Sequence, residues 1–174
     1  MTKSFKQDNK PLRVVSVSLG SSTRNKKVVL ELLNREIIVE RIGVDANLKK
    51  AIELIKELDG KVDAFGLGGI NLFLSFYGKK YKIRDANLIA KAAKKTPIVD
   101  GYGLKKYIEP KIIKELHETR IVDFAHKNIL MVSALDREAT AEVIYNMETN
   151  DLYGDLVFSV GFPYVLSKKD NIEL

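Results

Sequence analysis

The stretch LRVVSVSLG at residues 12–20 decides the fold class. It is rich in β-branched residues and ends at Gly20, which is typical of a buried strand that stops at a turn. Stretches of similar character occur at residues 36–42, 62–67 and 96–100, and helical patterns separate these four strands. Strands and helices that alternate with short links predict parallel strands joined by right-handed crossovers.

The pattern predicts an α/β fold, a Rossmann-like three-layer sandwich with a mostly parallel sheet of about five strands. A β-hairpin over residues 72–84 is expected as an insertion after the third strand, because a glycine-bearing turn separates two strand-like runs. A short helix is predicted over residues 26–33, and further strands over residues 128–132 and 156–160. Asp155 precedes the last of these strands, so a structural role in a turn at the opposite edge of the sheet is expected.

Length and composition predict one ordinary globular domain. The chain has 174 residues, of which 45% are hydrophobic and 30% charged, and its formal net charge is +6. A single α/β domain is expected over residues 11–166, between a disordered tail at 1–10 and a polar tail at 167–174. The chain contains no cysteine and no apolar run long enough to span a bilayer, which favours a cytoplasmic protein without a membrane partner.

Polar and glycine residues follow several of the predicted strands. Ligands of open parallel sheets bind at the carboxyl ends of the strands, so these residues are expected to bind a small anionic ligand through hydroxyls, backbone N–H groups and arginines. The alternative for each is structural, as a tight turn or a helix cap. The candidate binding residues are Gly20, Ser21, Ser22, Thr23, Arg24, Gly66, Gly68, Gly69, Asn71, Gly101, Gly103, Ser133, Asp136 and Arg137.

Asp100 and Lys105 form the best acid–base pair of the chain. They lie five residues apart across a Gly-x-Gly turn, so a carboxylate and an ammonium could face one ligand hydroxyl. The alternative is that Asp100 caps the turn while Lys105 is solvated. His117 and His126 are the only histidines and no metal-binding motif includes them, so no metal site is predicted.

Charge and sheet edges bear on two kinds of macromolecular partner. The segment around Lys80, Lys82 and Arg84 interleaves cations with aromatic residues, but a net charge of +6 is modest and does not favour a nucleic-acid partner. The sheet edge at the last predicted strand is expected to be exposed unless a further segment or a partner chain covers it, and this predicts either a homo-oligomer, such as a dimer, or a chain that is part of something longer.

Several strings resemble a family of bacterial proteins labelled quinate 5-dehydrogenase. They are DAFGLGGINL at 63–72, IRDA at 83–86, TPIVDGYGLK at 96–105, VSALDR at 132–137 and GDLVF at 154–158. The resemblance covers residues 14–163 and corresponds to the N-terminal part of that family's longer chain.

The resemblance implies an oxidoreductase that uses NAD or NADP to oxidise a ring hydroxyl of a small polyhydroxy acid such as quinate. Under that reading Asp100 and Lys105 are the candidates for polarising the hydroxyl. The alternative is a non-catalytic α/β domain that binds an anionic metabolite or nucleotide and works as a dimer, because recognition and catalysis at the same edge of the sheet need the same groups.

Overall fold

The computed structural model describes residues 10–76 and 79–167, which form two compact units. Unit 1 contains the described residues up to Leu72 together with Ile83–Asp100, and unit 2 contains Phe73–Lys82 and the described residues from Gly101 onward. The single domain over residues 11–166 stays a prediction, and within the described residues each unit has a hydrophobic cluster of its own. The predicted tails lie outside the described residues, except for Lys10 and Ser167 at their inner ends.

Strands and helices alternate irregularly along the chain. In order they are β1 (Leu12–Ser18), β2 (Lys26–Leu32), β3 (Arg35–Gly43), α1 (Leu48–Leu58), β4 (Ala64–Gly68), β5 (Phe73–Phe76), β6 (Lys79–Lys82), α2 (Arg84–Ala90), β7 (Ile98–Val99), α3 (Glu109–Glu118), β8 (Asn128–Met131), α4 (Glu138–Tyr145), β9 (Asn150–Tyr153), α5 (Asp155–Val160) and β10 (Leu166–Ser167). Short 3₁₀ turns lie at Ser22–Arg24 and Leu135–Arg137, and a π-helical segment, Leu104–Ile108, precedes α3. No helix among the described residues is both long and apolar enough to cross a membrane.

Unit 1 is built on a five-stranded, mostly parallel sheet, as the sequence predicted. Its strand order is β2-β3-β1-β4-β7, and only the β2–β3 pair is antiparallel. Val15 and Phe65 of the sheet share one buried cluster with Ile55 of α1 and Ile89 of α2. Both helices therefore pack on the same face of the sheet, so unit 1 by itself has two layers.

The predicted helix over residues 26–33 is wrong, because this segment is strand β2 and pairs with β3 through a tight hairpin. Leu33 and Asn34 form the turn with φ angles of 54° and 59°. Positive φ at both central residues is the conformation that best joins two twisted strands. The sequence signal for this turn is weak, because leucine rarely adopts the conformation. Val28 and Val29, by contrast, carry a local preference for a strand.

Unit 2 contains a small sheet in the order β10-β9-β8, with β8 and β9 parallel, and the antiparallel hairpin β5–β6. The hairpin confirms the predicted insertion, and its turn lies outside the described residues. The predicted strand over residues 156–160 is wrong, since this apolar run is helix α5, which ends at Gly161 in a left-handed conformation with φ 70°. The strand beside β8 is β9, whose sequence NDLY begins with two residues that are rare in strands.

Candidate functional site

The first group of candidate residues lies at the carboxyl ends of β1 and β4 in unit 1. Strands β3 and β4 lie on opposite sides of β1, so the chain changes direction across the sheet at this point. The backbone N–H of Leu19 donates to the carbonyl of Gly68 at 2.9 Å, which brings the Gly20 turn beside the end of β4. In open α/β sheets this switch point is the place where ligands bind.

The turn after β1 is held by its own hydroxyl groups. Ser21 caps the 3₁₀ turn by accepting from the backbone N–H of Thr23 at 3.2 Å, and the two side-chain hydroxyls lie 2.8 Å apart. The backbone N–H of Ser22 donates to Asp45 at 2.7 Å, and hydrogen bonds from Ser22 lower the pKa of that carboxyl. Ser21, Ser22 and Thr23 therefore have the structural role, in a capped turn, that was the alternative to ligand binding.

Two guanidinium groups converge above Gly20. The Nη2 atoms of Arg24 and Arg41 each lie 2.9 Å from the position that a β-carbon on Gly20 would occupy. Arg41 donates to the Ser18 hydroxyl at 2.9 Å and to the Ser21 carbonyl at 3.1 Å, and both of these acceptors are uncharged. In the part of the chain that the structure describes, neither arginine forms an ion pair with a carboxylate.

Arg41 was missed by sequence reasoning, although its position carried a signal. It stands in the strand EIIVERI, and its register partner on β1 is Ser16. A charged residue near the carboxyl end of a central parallel strand lies close to the same edge of the sheet as the Gly20 turn. Only the order of the strands, with β3 beside β1, shows that it reaches this turn.

Three glycines leave the room that this arrangement needs. A β-carbon on Gly43 would overlap the backbone of Ser21, and one on Gly68 would lie 2.8 Å from the Ser18 β-carbon. Gly69 has a φ of 71° and would approach the Gly20 nitrogen to 3.3 Å. The glycines after β4 thus serve close packing against the Gly20 turn, while a β-carbon on Gly66 would make only ordinary contacts.

Asp100 and Lys105 belong to different units. Asp100 ends unit 1 and accepts from the backbone N–H of Leu72 at 2.7 Å, which ties down the segment that follows Asn71. A β-carbon on Gly101 or Gly103 would meet open space. The pairing of the aspartate with the lysine at one ligand stays a prediction.

Lys105 takes part in a charged network within unit 2. Its ammonium donates to both oxygens of Asp136 at 2.8 Å, and Arg137 donates to Asp136 at 3.2 Å and to Glu109 at 3.0 Å. Each cation of this network therefore already has a carboxylate partner. That arrangement resembles a structural ion-pair network more than an anion site that awaits a ligand.

Ser133 and Asp155 form the polar anchor of the small sheet. The Asp155 carboxylate accepts from the Ser133 hydroxyl at 3.0 Å and from the backbone N–H groups of Ala134 and Leu135 at 2.8 and 3.1 Å. Asp155 follows β9, which is parallel to β8, so it lies at the same edge as the β8 turn and not at the opposite one. Its role is structural, as expected, although its position was wrongly predicted.

The residues after β1 do not form the usual dinucleotide cradle. In that cradle an α-helix begins directly after the first strand and directs its N-terminus at the pyrophosphate. Here Gly20 leads into a 3₁₀ turn and then into strand β2. Among residues 10–76 and 79–167, no group of three or more His, Cys, Asp or Glu side chains is placed to hold a metal ion.

The fold defines unit 1 as an α/β domain in which two arginine side chains approach Gly20 at the switch point of the sheet. Residues 13–100, just over half of the chain, match the family described as Domain of unknown function (DUF8753), and the chain belongs to that family. Residues 103–174 match a second family, Domain of unknown function (DUF8754). No curated protein and no solved structure matches the chain.

Proposed function

We propose that unit 1 is a Rossmann-like domain that binds a small anionic metabolite above Gly20. The observation that carries the proposal is the convergence of Arg24 and Arg41 on one point, where neither has a carboxylate partner among the described residues. Two like charges repel each other at such short range, and an anion between them would turn this repulsion into attraction. The arginines would each offer parallel N–H donors to two oxygens of the ligand.

The geometry favours an oxyanion, either a carboxylate or a phosphate group. Planar guanidinium groups match the spacing of oxygens in both, and the neutral acceptors Ser18 and Ser21 already orient Arg41. The resemblance to the quinate 5-dehydrogenase family would make the ligand a polyhydroxy acid, whose carboxylate meets the same requirement. Binding without turnover is the function that these residues support best.

A dehydrogenase that uses NAD or NADP is the expectation that the resemblance raised, and the geometry lends it less support. The turn after β1 lacks the helix that normally receives the pyrophosphate. The lysine of the expected acid–base pair is engaged with Asp136. Turnover of a polyhydroxy acid is therefore a separate hypothesis. The unfolding experiment with NAD and NADP, followed by an assay of quinate oxidation, tests it.

Thermal unfolding with added ligands tests the proposal. Inorganic phosphate, quinate, NAD and NADP are each added to the purified chain up to saturation. A ligand at a hundred times its Kd stabilises the folded state by about 2.7 kcal/mol, which raises Tm by roughly 11–22 °C for a unit of fewer than 100 residues. We expect phosphate or quinate to give such a shift in the wild-type chain.

Matched variants locate the effect. Arg24→Ala and Arg41→Ala are expected to abolish most of the shift, while Arg84→Ala, which removes an exposed arginine from the first turn of α2, leaves it intact. Equal shifts in all three variants would place the anion elsewhere and overturn the proposal. A shift with NAD or NADP alone, followed by quinate oxidation, would favour the dehydrogenase instead.

A further inference from the structure

Strand β2 is an exposed edge with apolar side chains on both of its faces. All seven of its residues are exposed, and the side chains of Val29 and Leu32 are 60% and 54% accessible. On one side β2 pairs with β3, and no described strand pairs with its other side. Such an edge presents a row of backbone N–H and C=O groups that can pair with another strand, and natural edges normally avoid this by being short, charged or bulged.

We propose that β2 pairs antiparallel with β2 of a second copy, about a two-fold axis that passes through Val29. Facing residues of an antiparallel ladder lie on the same side of the sheet, so the axis must pass through a residue rather than between two. An axis at Val29 places Lys27 opposite the partner's Glu31, and Val28 opposite the partner's Leu30. Symmetry repeats each pair, which gives two opposite-charge pairs and two apolar pairs, while Val29 faces its own copy at the axis and Lys26 faces Leu32 at the two ends of the ladder.

The other registers are less favourable. An axis at Lys27 or at Glu31 places like charges opposite each other, which destabilises a ladder. An axis at Val28 or at Leu30 leaves one charged residue facing Val29. The Val29 register alone pairs opposite charges and also uses the whole length of β2. Charge complementarity therefore selects both the partner, a second copy of this chain, and its alignment.

The inference is independent of the anion site. It predicts that the two five-stranded sheets join into one continuous sheet of ten strands, with a central antiparallel pair. Edge strands of this kind are also sites of uncontrolled aggregation, and a closed two-fold pair removes both of the β2 edges at once.

The mass of the full chain in solution tests the proposal. Light scattering and sedimentation over a hundredfold concentration range should show a species of twice the 19.6 kDa chain mass. Val29→Lys should raise the dissociation constant at least tenfold, because it places two ammonium groups at the axis. Val99→Lys is the matched control, since Val99 is 61% exposed on β7 at the other edge of the same sheet.

Charge exchange tests the register itself. K27E and E31K should each weaken the dimer alone, whereas an equimolar mixture of the two variants should restore it as a heterodimer, because opposite charges then face each other at both pairs. K27E also faces Glu40 of its own chain, so circular dichroism and thermal unfolding must show that each variant is folded.

Three results would overturn the proposal. These are a wild-type chain that is monomeric at every concentration, a dimer that V29K leaves unchanged, and a mixture of K27E and E31K that associates no better than either variant alone.

Discussion

Arg41 lies on a central strand of the sheet, yet its guanidinium group reaches the turn that follows the neighbouring strand. Its hydrogen bonds to Ser18 and Ser21 fix the end of the side chain beside Gly20, which the guanidinium group of Arg24 also approaches. A residue without a β-carbon at position 20 is what allows both groups to approach the same point. At the scale of single residues, the candidate site therefore consists of the guanidinium groups of Arg24 and Arg41 and the space that Gly20 leaves for them.

Asp59 provides a pH-dependent contact at the end of α1. Its carboxylate accepts from the backbone N–H of Thr96 at 2.9 Å, of Lys94 at 2.8 Å and of Lys95 at 3.0 Å. These bonds, with that from Thr96 the largest cause, lower the pKa of Asp59 to about 2. The carboxylate form is thus favoured by folding, and the segment after α2 depends on it.

We predict that this contribution to stability is fully present above about pH 4, the ordinary pKa of aspartate, and disappears as the pH falls through about 2. Urea unfolding of the wild-type chain and of Asp59→Asn between these pH values measures it. The variant should be less stable at neutral pH and should lose less stability on acidification. Parallel curves for the two proteins would show that Asp59 does not contribute.

At the scale of elements, the sequence predicted strands β1, β3, β4 and β7 of the larger sheet and the long helix α1, because their apolar patterns are strong. It failed where an element carries an atypical composition. The hairpin turn has Leu33 at a position where glycine, asparagine or aspartate is usual, and β9 opens with Asn150 and Asp151. In both places the contacts with neighbouring strands override the local preference.

The hairpin turn gives an element-scale prediction. Leu33 is 87% exposed and has a φ of 54°, a left-handed conformation that is unfavourable for a residue with a β-carbon. We expect Leu33→Gly to stabilise unit 1 by about 1 kcal/mol, since the relief of strain exceeds the added flexibility of glycine. Equilibrium unfolding in urea measures the change.

The neighbouring residue is the control for this substitution. Leu32 is also exposed but lies within strand β2, so Leu32→Gly should destabilise the hairpin. If Leu33→Gly destabilised the chain as much as Leu32→Gly does, the turn would not be strained in solution.

At the scale of the whole molecule, the chain consists of two units with separate cores, one around Val15 and Phe65 and one around Met131 and Tyr153. The sequence alone suggested one domain, because strand and helix patterns continue past residue 100 without a linker of distinctive composition. The candidate residues were found where strands end, but their assignment to two units could not be predicted. Which strands pair depends on contacts between distant segments.

Unit 1 holds the converging arginines, whereas the cations of the unit 2 network are paired with carboxylates. We therefore propose anion binding for the DUF8753 part of the chain. Under this proposal the anion is bound by residues other than the expected acid–base pair of Asp100 and Lys105, of which the lysine belongs to unit 2.

An NMR titration of the ¹⁵N-labelled chain with inorganic phosphate, and separately with quinate, tests this central claim most directly. We predict that at least one of the two shifts the backbone amide signals of Gly20, Ser21 and Ser22 saturably, and that the Arg24→Ala/Arg41→Ala double variant loses these shifts while its other signals stay in place. Saturable shifts that centre on other residues, or shifts at the Gly20 turn that persist in the double variant, would contradict it.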